Sequence, residues 1–290
     1  MPGIVYLNGK FVPEDKALVA YNDRGFQFAD GAYEVIKFYK GKPFRFDGHL
    51  KRLERSLTEL KIRFDDIGKV EEICTALIEK NSLGNAYAGV YIQVTRGSHS
   101  RMHTFPANIS PTVCINACLM NPGKKSLLEG ITAISGPDIR WTRCDIKSVS
   151  LLPNVLMMQE AATQNAGECI FIRDRIVTEA SRSNVLGVKS GKIFTHPDNN
   201  FILAGITKGA VKDICSENNI DFVEEPVKAE ELYRLDELIA TGTGSEITPV
   251  LAVDNKMIGN GKPGPVTRII QNCFFEMTYL RLAGDKWWNF

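Results

Sequence analysis

Apolar and polar residues alternate at the start of the chain. Ile4-Val-Tyr-Leu-Asn-Gly-Lys-Phe-Val12 sets an Asn-Gly pair between two alternating runs, which predicts a tight β-hairpin. Tyr33 to Tyr39, the turn Lys40-Gly-Lys-Pro43 and Phe44-Arg-Phe46 predict a second pairing. The period then changes. After Asp47, a good helix N-cap, Leu50, Leu53, Leu57 and Leu60 recur at helical spacing, so His49 to Leu60 predicts a helix. Val70 to Glu79 predicts another, ended around Asn81-Ser-Leu-Gly84. Tyr87 to Thr95 and Thr112 to Leu119 are rich in Val, Ile, Tyr and Cys and predict strands.

Asn121-Pro-Gly-Lys-Lys-Ser126 breaks the pattern and reads as a linker, since Pro and Gly interrupt structure and the lysines are solvated. Beyond it Gly130 to Ser135 predicts a strand, and Asn154 to Ala166 a helix with Gly167 at its C-terminal end. Strands are expected at Glu168 to Arg173, Asn184 to Val188 and Lys192 to Thr195, separated by Asp-Arg and Lys-Ser-Gly turns. Thr207 opens a helix running to about Asn218; Leu238 to Thr241 and Val250 to Val253 are strands, and Val266 to Leu280 closes the chain as a helix. Helices and strands mix without regular βαβ alternation, so the expectation is α+β in two domains. Residues 1–120 would form a small N-terminal domain, 121–129 the linker, and 130–290 a large C-terminal domain.

Composition narrows the function classes. The 290 residues suffice for real cores, and 35 basic against 34 acidic residues advertise no basic face for nucleic acid. No apolar run reaches the length of a membrane span, and the first ten residues lack the features of a signal peptide, which points to a cytoplasmic protein. The seven cysteines are scattered without zinc-site spacing, and the four histidines do not cluster with them, so no metal is expected. Cys114 and Cys118 would share one face of a strand, as two buried small hydrophobes rather than a ligand pair.

The chemistry concentrates in Arg140-Trp-Thr-Arg-Cys-Asp-Ile-Lys147-Ser-Val-Ser150 and in Thr178-Glu-Ala-Ser-Arg-Ser-Asn184. A lysine fixed in a short turn, with a carboxylate in the following motif, is what pyridoxal 5′-phosphate chemistry requires. The amine forms a Schiff base with the cofactor aldehyde, and the carboxylate holds a proton on the pyridine nitrogen. Lys147 lies in an alternating stretch and would face opposite to Ile146 and Ser148. Four further stretches accompany these two: Asn22 to Val35, Val94 to His103, Leu203-Ala-Gly-Ile-Thr207 and Thr241-Gly-Thr-Gly-Ser-Glu-Ile-Thr-Pro249.

In these motifs, from about Leu7 to about Arg281, the chain resembles the class IV aminotransferases, the fold-type IV group of pyridoxal phosphate enzymes. Within that group it is most like the D-amino acid aminotransferases. The resemblance implies a two-domain α+β enzyme and makes Lys147 the lysine that carries the cofactor and moves the proton. Glu179 matches the carboxylate paired with the pyridinium nitrogen. Arg52, Ile206, Thr207, Gly242 and Thr243 match the phosphate-binding positions, Ser181 and Ser183 the cofactor-binding turn, and Leu203 the residue packed on one face of the ring. A hydroxyl at a helix start and glycines allowing close backbone approach are suited to a phosphate. Tyr33, Arg101 and His103 match the positions that hold the substrate α-carboxylate. Arg and His on alternate residues of an extended loop point to the same side.

One departure stands out. The family's turn after the glutamate reads Gly-Ser-Ser-Ser-Asn, whereas here Arg182 replaces a small hydroxyl. Three roles stay open for it: phosphate binding, a preference for acidic substrates, or a solvent-facing charge. The implied partners are an amino acid, a 2-oxo acid and a second copy of the chain, whose Arg101–His103 loop would close a site between the two domains. The implied reaction carries an amino group from a D-alanine-like amino acid to an acceptor such as 2-oxoglutarate. The alternatives are a branched-chain L-amino acid aminotransferase, a 4-amino-4-deoxychorismate lyase, and a descendant that binds the cofactor without turnover. The Arg-x-His element counts against the first two, and an intact Lys147, Glu179 and Arg52 against the third.

Overall fold

The computed structural model describes residues 3–278. The chain divides into two compact units, Met1–Asn121 with Ile146–Leu151, and Pro122–Asp145 with Leu152–Phe290. The segment around Lys147, expected in the C-terminal domain, is thus grouped with the first unit.

The first unit opens with β1 (Ile4–Leu7) and β2 (Lys10–Pro13), antiparallel about Asn8 and Gly9, both at positive φ as the twist of a two-residue hairpin requires. A short helix α1 (Arg24–Phe28) precedes β3 (Gly31–Tyr39). The partner of β3 across the Lys40-Gly41 turn is β4 (Lys42–Pro43), which is shorter than the sequence suggested. The chain turns at Arg45, in the left-handed conformation, and α2 (Phe46–Glu59) begins at once. Asp47 is therefore not the N-cap; it lies inside the first turn, where its charge still suits the helix dipole. Then follow α3 (Val70–Lys80), β5 (Tyr87–Thr95) and β6 (Thr112–Leu119). The strands form one sheet in the order β2-β1-β6-β5-β3-β4. One face of it packs on the helices through a core that includes Ile36, Phe38, Leu53, Leu57, Leu77, Val90 and Ile92. Cys114 and Cys118 do share a face of β6, but Cys114 is only half-buried and Cys118 is exposed. They lie on the side of the sheet opposite that core, which corrects the expectation of a buried pair.

The second unit starts with α4 (Lys124–Glu129), formed within the expected linker, and β7 (Ile131–Pro137). Next come α5 (Leu152–Thr163), β8 (Glu168–Arg173), β9 (Ile176–Ala180), β10 (Asn184–Lys189) and β11 (Lys192–Phe194). They are followed by α6 (Ile206–Glu217), β12 (Phe222–Val223), β13 (Glu237–Gly242), β14 (Glu246–Val253), β15 (Lys256–Met257) and α7 (Pro265–Thr278). The end expected for α7 at Leu280 falls outside the described residues. Asn165, not Gly167, takes the left-handed position after α5. The Ala166 amide then reaches back to Ala161 O at 2.8 Å, the bond that closes a Schellman-type end. The nine-stranded sheet runs β12-β11-β10-β13-β14-β7-β8-β9, with β15 beside β14. Val185, Leu238, Ala240, Val250 and Val253 form its principal core. Among the described residues no helix is long and apolar enough to cross a membrane, and no group of His, Cys, Asp and Glu could hold a metal ion.

Candidate active site

In the first unit the Lys147 segment lies along the start of β3. The Tyr33 amide donates to Lys147 O at 2.9 Å, the Val149 amide to Gly31 O at 3.0 Å, and Ala32 and Ser148 form an isolated antiparallel bridge. Ser56 on α2 links helix to segment: its Oγ donates to Arg52 O at 2.8 Å and accepts from the Lys147 amide at 3.1 Å. Ile146 and Ser148 are buried while Lys147 is half-buried, so the lysine does face away from its neighbours. Its Nζ stands 4.2 Å from the centre of the Tyr33 ring.

Beneath these residues lies a cluster that the motifs did not announce. Glu34 points to the core face of β3, fully buried, and meets His49 and Arg52, which sit three residues apart on the facing side of α2. Arg52 Nε donates to Oε1 at 2.6 Å and Nη2 to Oε2 at 2.9 Å, and His49 Nδ1 lies 2.8 Å from Oε2. Burial works to raise the Glu34 carboxyl, but the Arg52 guanidinium and the His49 hydrogen bond outweigh it and pull it down to about 2. Burial in turn holds His49 below its ordinary value, with Glu34 opposing.

Arg101 and His103 lie on the loop after β5 and are exposed. Both stand against the Phe28 ring, the Arg101 guanidinium at 4.8 Å and the imidazole at 5.4 Å between centres, so the alternation does bring them to one side.

The second unit gathers the other candidates at one end of its sheet. Glu179 on β9 is buried, and three donors converge on it: the Arg140 guanidinium on Oε1, and on Oε2 both Asn184 Nδ2 at 3.0 Å and the Leu203 amide at 3.1 Å. Burial pushes the Glu179 carboxyl up while Arg140 pulls against it. Arg140 also holds Asp138 through Nε at 2.9 Å and Nη2 at 2.8 Å. Burial opposes its charge, yet Asp138 and Glu179 prevail and hold the guanidinium above its ordinary range. Arg140 stood in plain sight at the head of the lysine segment. What marks it is the carboxylate at the far end of a different strand, which spacing does not reveal.

Ser181 and Ser183 both donate to the buried Glu168, Ser183 Oγ at 3.2 Å from Oε2. Arg182 Nε lies 3.3 Å from the same carboxylate and Nη2 3.2 Å from Gly167 O, with the side chain largely in solvent. Asn184 pairs with Thr241 across β10 and β13, and Gly242 lies against the Arg182–Ser183 backbone. The phosphate candidates Ile206 and Thr207 begin α6 after Gly205. There no side chain caps the free amides, and a Cβ on Gly205 would collide with the Asn184 side chain. Leu203 is half-buried, two residues before that turn.

The model of the amino-transferase class IV family matches residues 31–253. The chain is a class IV aminotransferase. It is 43% identical to the D-alanine aminotransferase of Staphylococcus haemolyticus over 275 residues, covering 93% of this chain and 96% of that one. With the D-alanine aminotransferase of Bacillus licheniformis it shares 39% over 268 residues, 92% and 94% of the two chains. Among solved structures, the branched-chain amino acid aminotransferase of Escherichia coli superposes with a TM-score of 0.89 at 28% identity, over 99% of this chain and 100% of that one. The fold is therefore the two-domain fold-type IV arrangement, and the enzyme is a pyridoxal phosphate-dependent aminotransferase.

The residues present fit that cofactor. An amine stands beside an aromatic ring, a buried carboxylate is fixed by three donors, and a helix N-terminus offers amides that no side chain caps. Thr241 Oγ1, next to Gly242, is buried without a hydrogen-bond partner.

Proposed function

We propose that this enzyme moves the amino group of a D-amino acid of the D-alanine type to a 2-oxo acid such as 2-oxoglutarate. The observation that carries the reading is the convergence of Arg101 and His103 on one ring, in a chain whose relatives of about two-fifths identity are named D-alanine aminotransferases. A cation and an imidazole on one side of a loop suit a carboxylate. Tyr33, Arg101 and His103 hold the substrate α-carboxylate. The site of the carboxylate decides which enantiomer presents its α-proton to the lysine.

When bound, the cofactor supplies an aldehyde for the amino group and a ring that takes up electrons. Lys147 provides the amine that holds it and moves the substrate proton at Nζ. Glu179, oriented by Arg140, Asn184 and the Leu203 amide, holds a proton on the ring nitrogen. Arg52, Ile206, Thr207, Gly242 and Thr243 receive the phosphate, Ser181 and Ser183 shape the turn beside it, and Leu203 packs on the ring. Arg182, turned to Glu168, is left for substrate choice.

The reading includes a cytoplasmic homodimer. Free thiols at all seven cysteines support the location. Leu152, Val155 and Leu156, exposed on one face of α5, and the exposed Leu18, Tyr21 and Phe26 support an interface. Sedimentation showing a fully active monomer overturns the dimer.

The deciding experiment incubates the holoenzyme with D- or L-alanine and 2-oxoglutarate, with Lys147→Ala alongside. D-alanine should react and L-alanine should not, and Lys147→Ala should lose both turnover and the visible absorbance of the bound cofactor. Faster reaction with L-leucine than with D-alanine assigns the chain to the branched-chain enzymes. Pyruvate and 4-aminobenzoate from aminodeoxychorismate assign it to the lyases.

A further inference from the structure

The loop that carries Arg101 and His103 is long and exposed, yet the protein does not leave it loose. Its near end is pinned by backbone: the Arg24 amide donates to Gly97 O at 2.9 Å, the His99 amide to Asn22 O at 3.2 Å, and Asp23 bridges to Ser98. Gly97, at φ +103, makes the bend, and Ser110 O fills the space a Cβ would need. Its far part is held by side chains. Arg24, buried, reaches across the loop, and its Nη1 donates to the carbonyl of Met102 at 2.6 Å. Met102 is the residue between Arg101 and His103. The Arg24 guanidinium also stacks 4.8 Å from the centre of Phe28, the ring that Arg101 and His103 share.

Arg24 is itself anchored. Its Nε donates to Asp30 Oδ2 at 2.7 Å, and Asp30 takes two further bonds from Arg96, Nε at 2.8 Å and Nη2 at 2.9 Å. Arg96 is buried, binds the carbonyls of Leu60 and Lys61 after α2, and lies 3.6 Å over the ring of Phe105, farther along the same loop. One carboxylate thus yokes two arginines that grip the loop on either side of His103.

We propose that Arg24 is a positioning residue for substrate recognition: through the Met102 carbonyl and the Phe28 ring it sets the reach and separation of Arg101 and His103. The inference rests on the reading of those two residues as the carboxylate-holding pair. A backbone carbonyl fixed by a charged donor limits rotation of the peptide units on both sides, so the side chains on either flank keep one relative orientation. Without it the loop retains its near-end pins but loses the geometry of its tip.

The test is a KM-against-kcat split in the holoenzyme. Arg24→Gln should raise the KM for D-alanine and the inhibition constant of propionate, a carboxylate without an amino group, by about tenfold each, the scale of one charged hydrogen bond acting indirectly. The kcat and the absorbance of the bound cofactor should stay within about twofold, as expected for a change that removes only binding. Arg24→Lys keeps the charge beside Asp30 and should fall between. Should Arg24→Gln not fold, Phe28→Leu removes the shared ring while leaving the Asp30 yoke, and should raise the same two constants by a smaller factor. Unchanged constants in a folded variant overturn the proposal, as does a loss confined to kcat. Arg101→Ala, run in parallel, separates the two claims. If it too leaves both constants unchanged, the reading of the carboxylate pair is what fails.

Discussion

Two buried carboxylates, one in each unit, each sit against a buried arginine and are shifted in opposite directions. Glu34 meets one guanidinium, one imidazole and the Val35 amide, and its carboxyl is driven down to about 2. Glu179 shares its guanidinium with Asp138, receives an amide side chain and a backbone amide, and is pushed up by burial. The first arrangement keeps the carboxylate charged well below its ordinary range and holds Arg52 against it. The second holds a carboxylate in place between donors that favour its charge and burial that opposes it. Burial alone does not set the direction in which a carboxylate shifts; the balance between burial and the donors that meet it does.

The comparison breaks most sharply at the arginine that is shared. Arg140→Ala leaves Asp138 and Glu179 buried together, and should cost on the order of 4–5 kcal/mol in denaturant unfolding. Glu34→Ala removes the buried carboxylate that meets Arg52 and His49 and should cost about 3–4 kcal/mol. Equal and small losses would mean that neither cluster is desolvated as the structure shows.

Acid separates the two carboxylates by sign. Glu34 is lowered from 4.5 to about 2, so the folded state holds its proton less tightly than the unfolded chain. Its stabilisation is complete above pH 4.5 and is lost as pH falls from there toward about 2. Glu179 is raised, so the folded state binds its proton more tightly and gains stability as pH falls toward 4.5 from above. Glu34→Gln should flatten the loss below pH 4.5, whereas Glu179→Gln should flatten the fall of stability above it. Flattening on the same side of pH 4.5 in both variants, read by unfolding at stepped pH, removes the distinction.

The smallest effect belongs to a third carboxylate, Glu168, whose arginine is exposed. Arg182→Ser should change stability by less than about 1 kcal/mol, as for other solvated pairs. If it also leaves the ratio of D-glutamate to D-alanine activity unchanged, Arg182 has no part in choosing acidic substrates.

How much of this was legible in the sequence follows how far apart the partners lie. The Asn8-Gly9 hairpin and the strands Tyr87–Thr95 and Thr112–Leu119 are written in short-range chemistry, and the structure shows them where the pattern put them. The strand Ile176–Ala180, which carries Glu179, escaped because only Ile176 and Val177 stand out as apolar before Thr178 and Glu179. Its polar residues are buried through Arg140 and Asn184, not through hydrophobicity. The Asp47 cap failed because backbone conformation at Arg45 started α2 early. Motif matching did name Lys147, Tyr33 and Arg52, which the structure brings around Glu34 and Ser56. It passed over Glu34 and His49, whose pairing joins a strand to a helix, and Asp30, which joins residues 24 and 96.

The grouping of Ile146–Leu151 with the first unit bears on how the chain is made. A ribosome releases residues 1–121 well before residues 146–151, so β3 waits with its start uncovered while the first stretch of the second unit emerges. Neither unit is a continuous piece of chain, and a fragment ending at residue 121 would lack both the backbone that pairs with Gly31 and Tyr33 and the lysine itself. The first unit can still be completed before the second, the usual order during synthesis, but not until the opening stretch of the second has already been made. The step that finishes the first unit is also the step that delivers Lys147 to it.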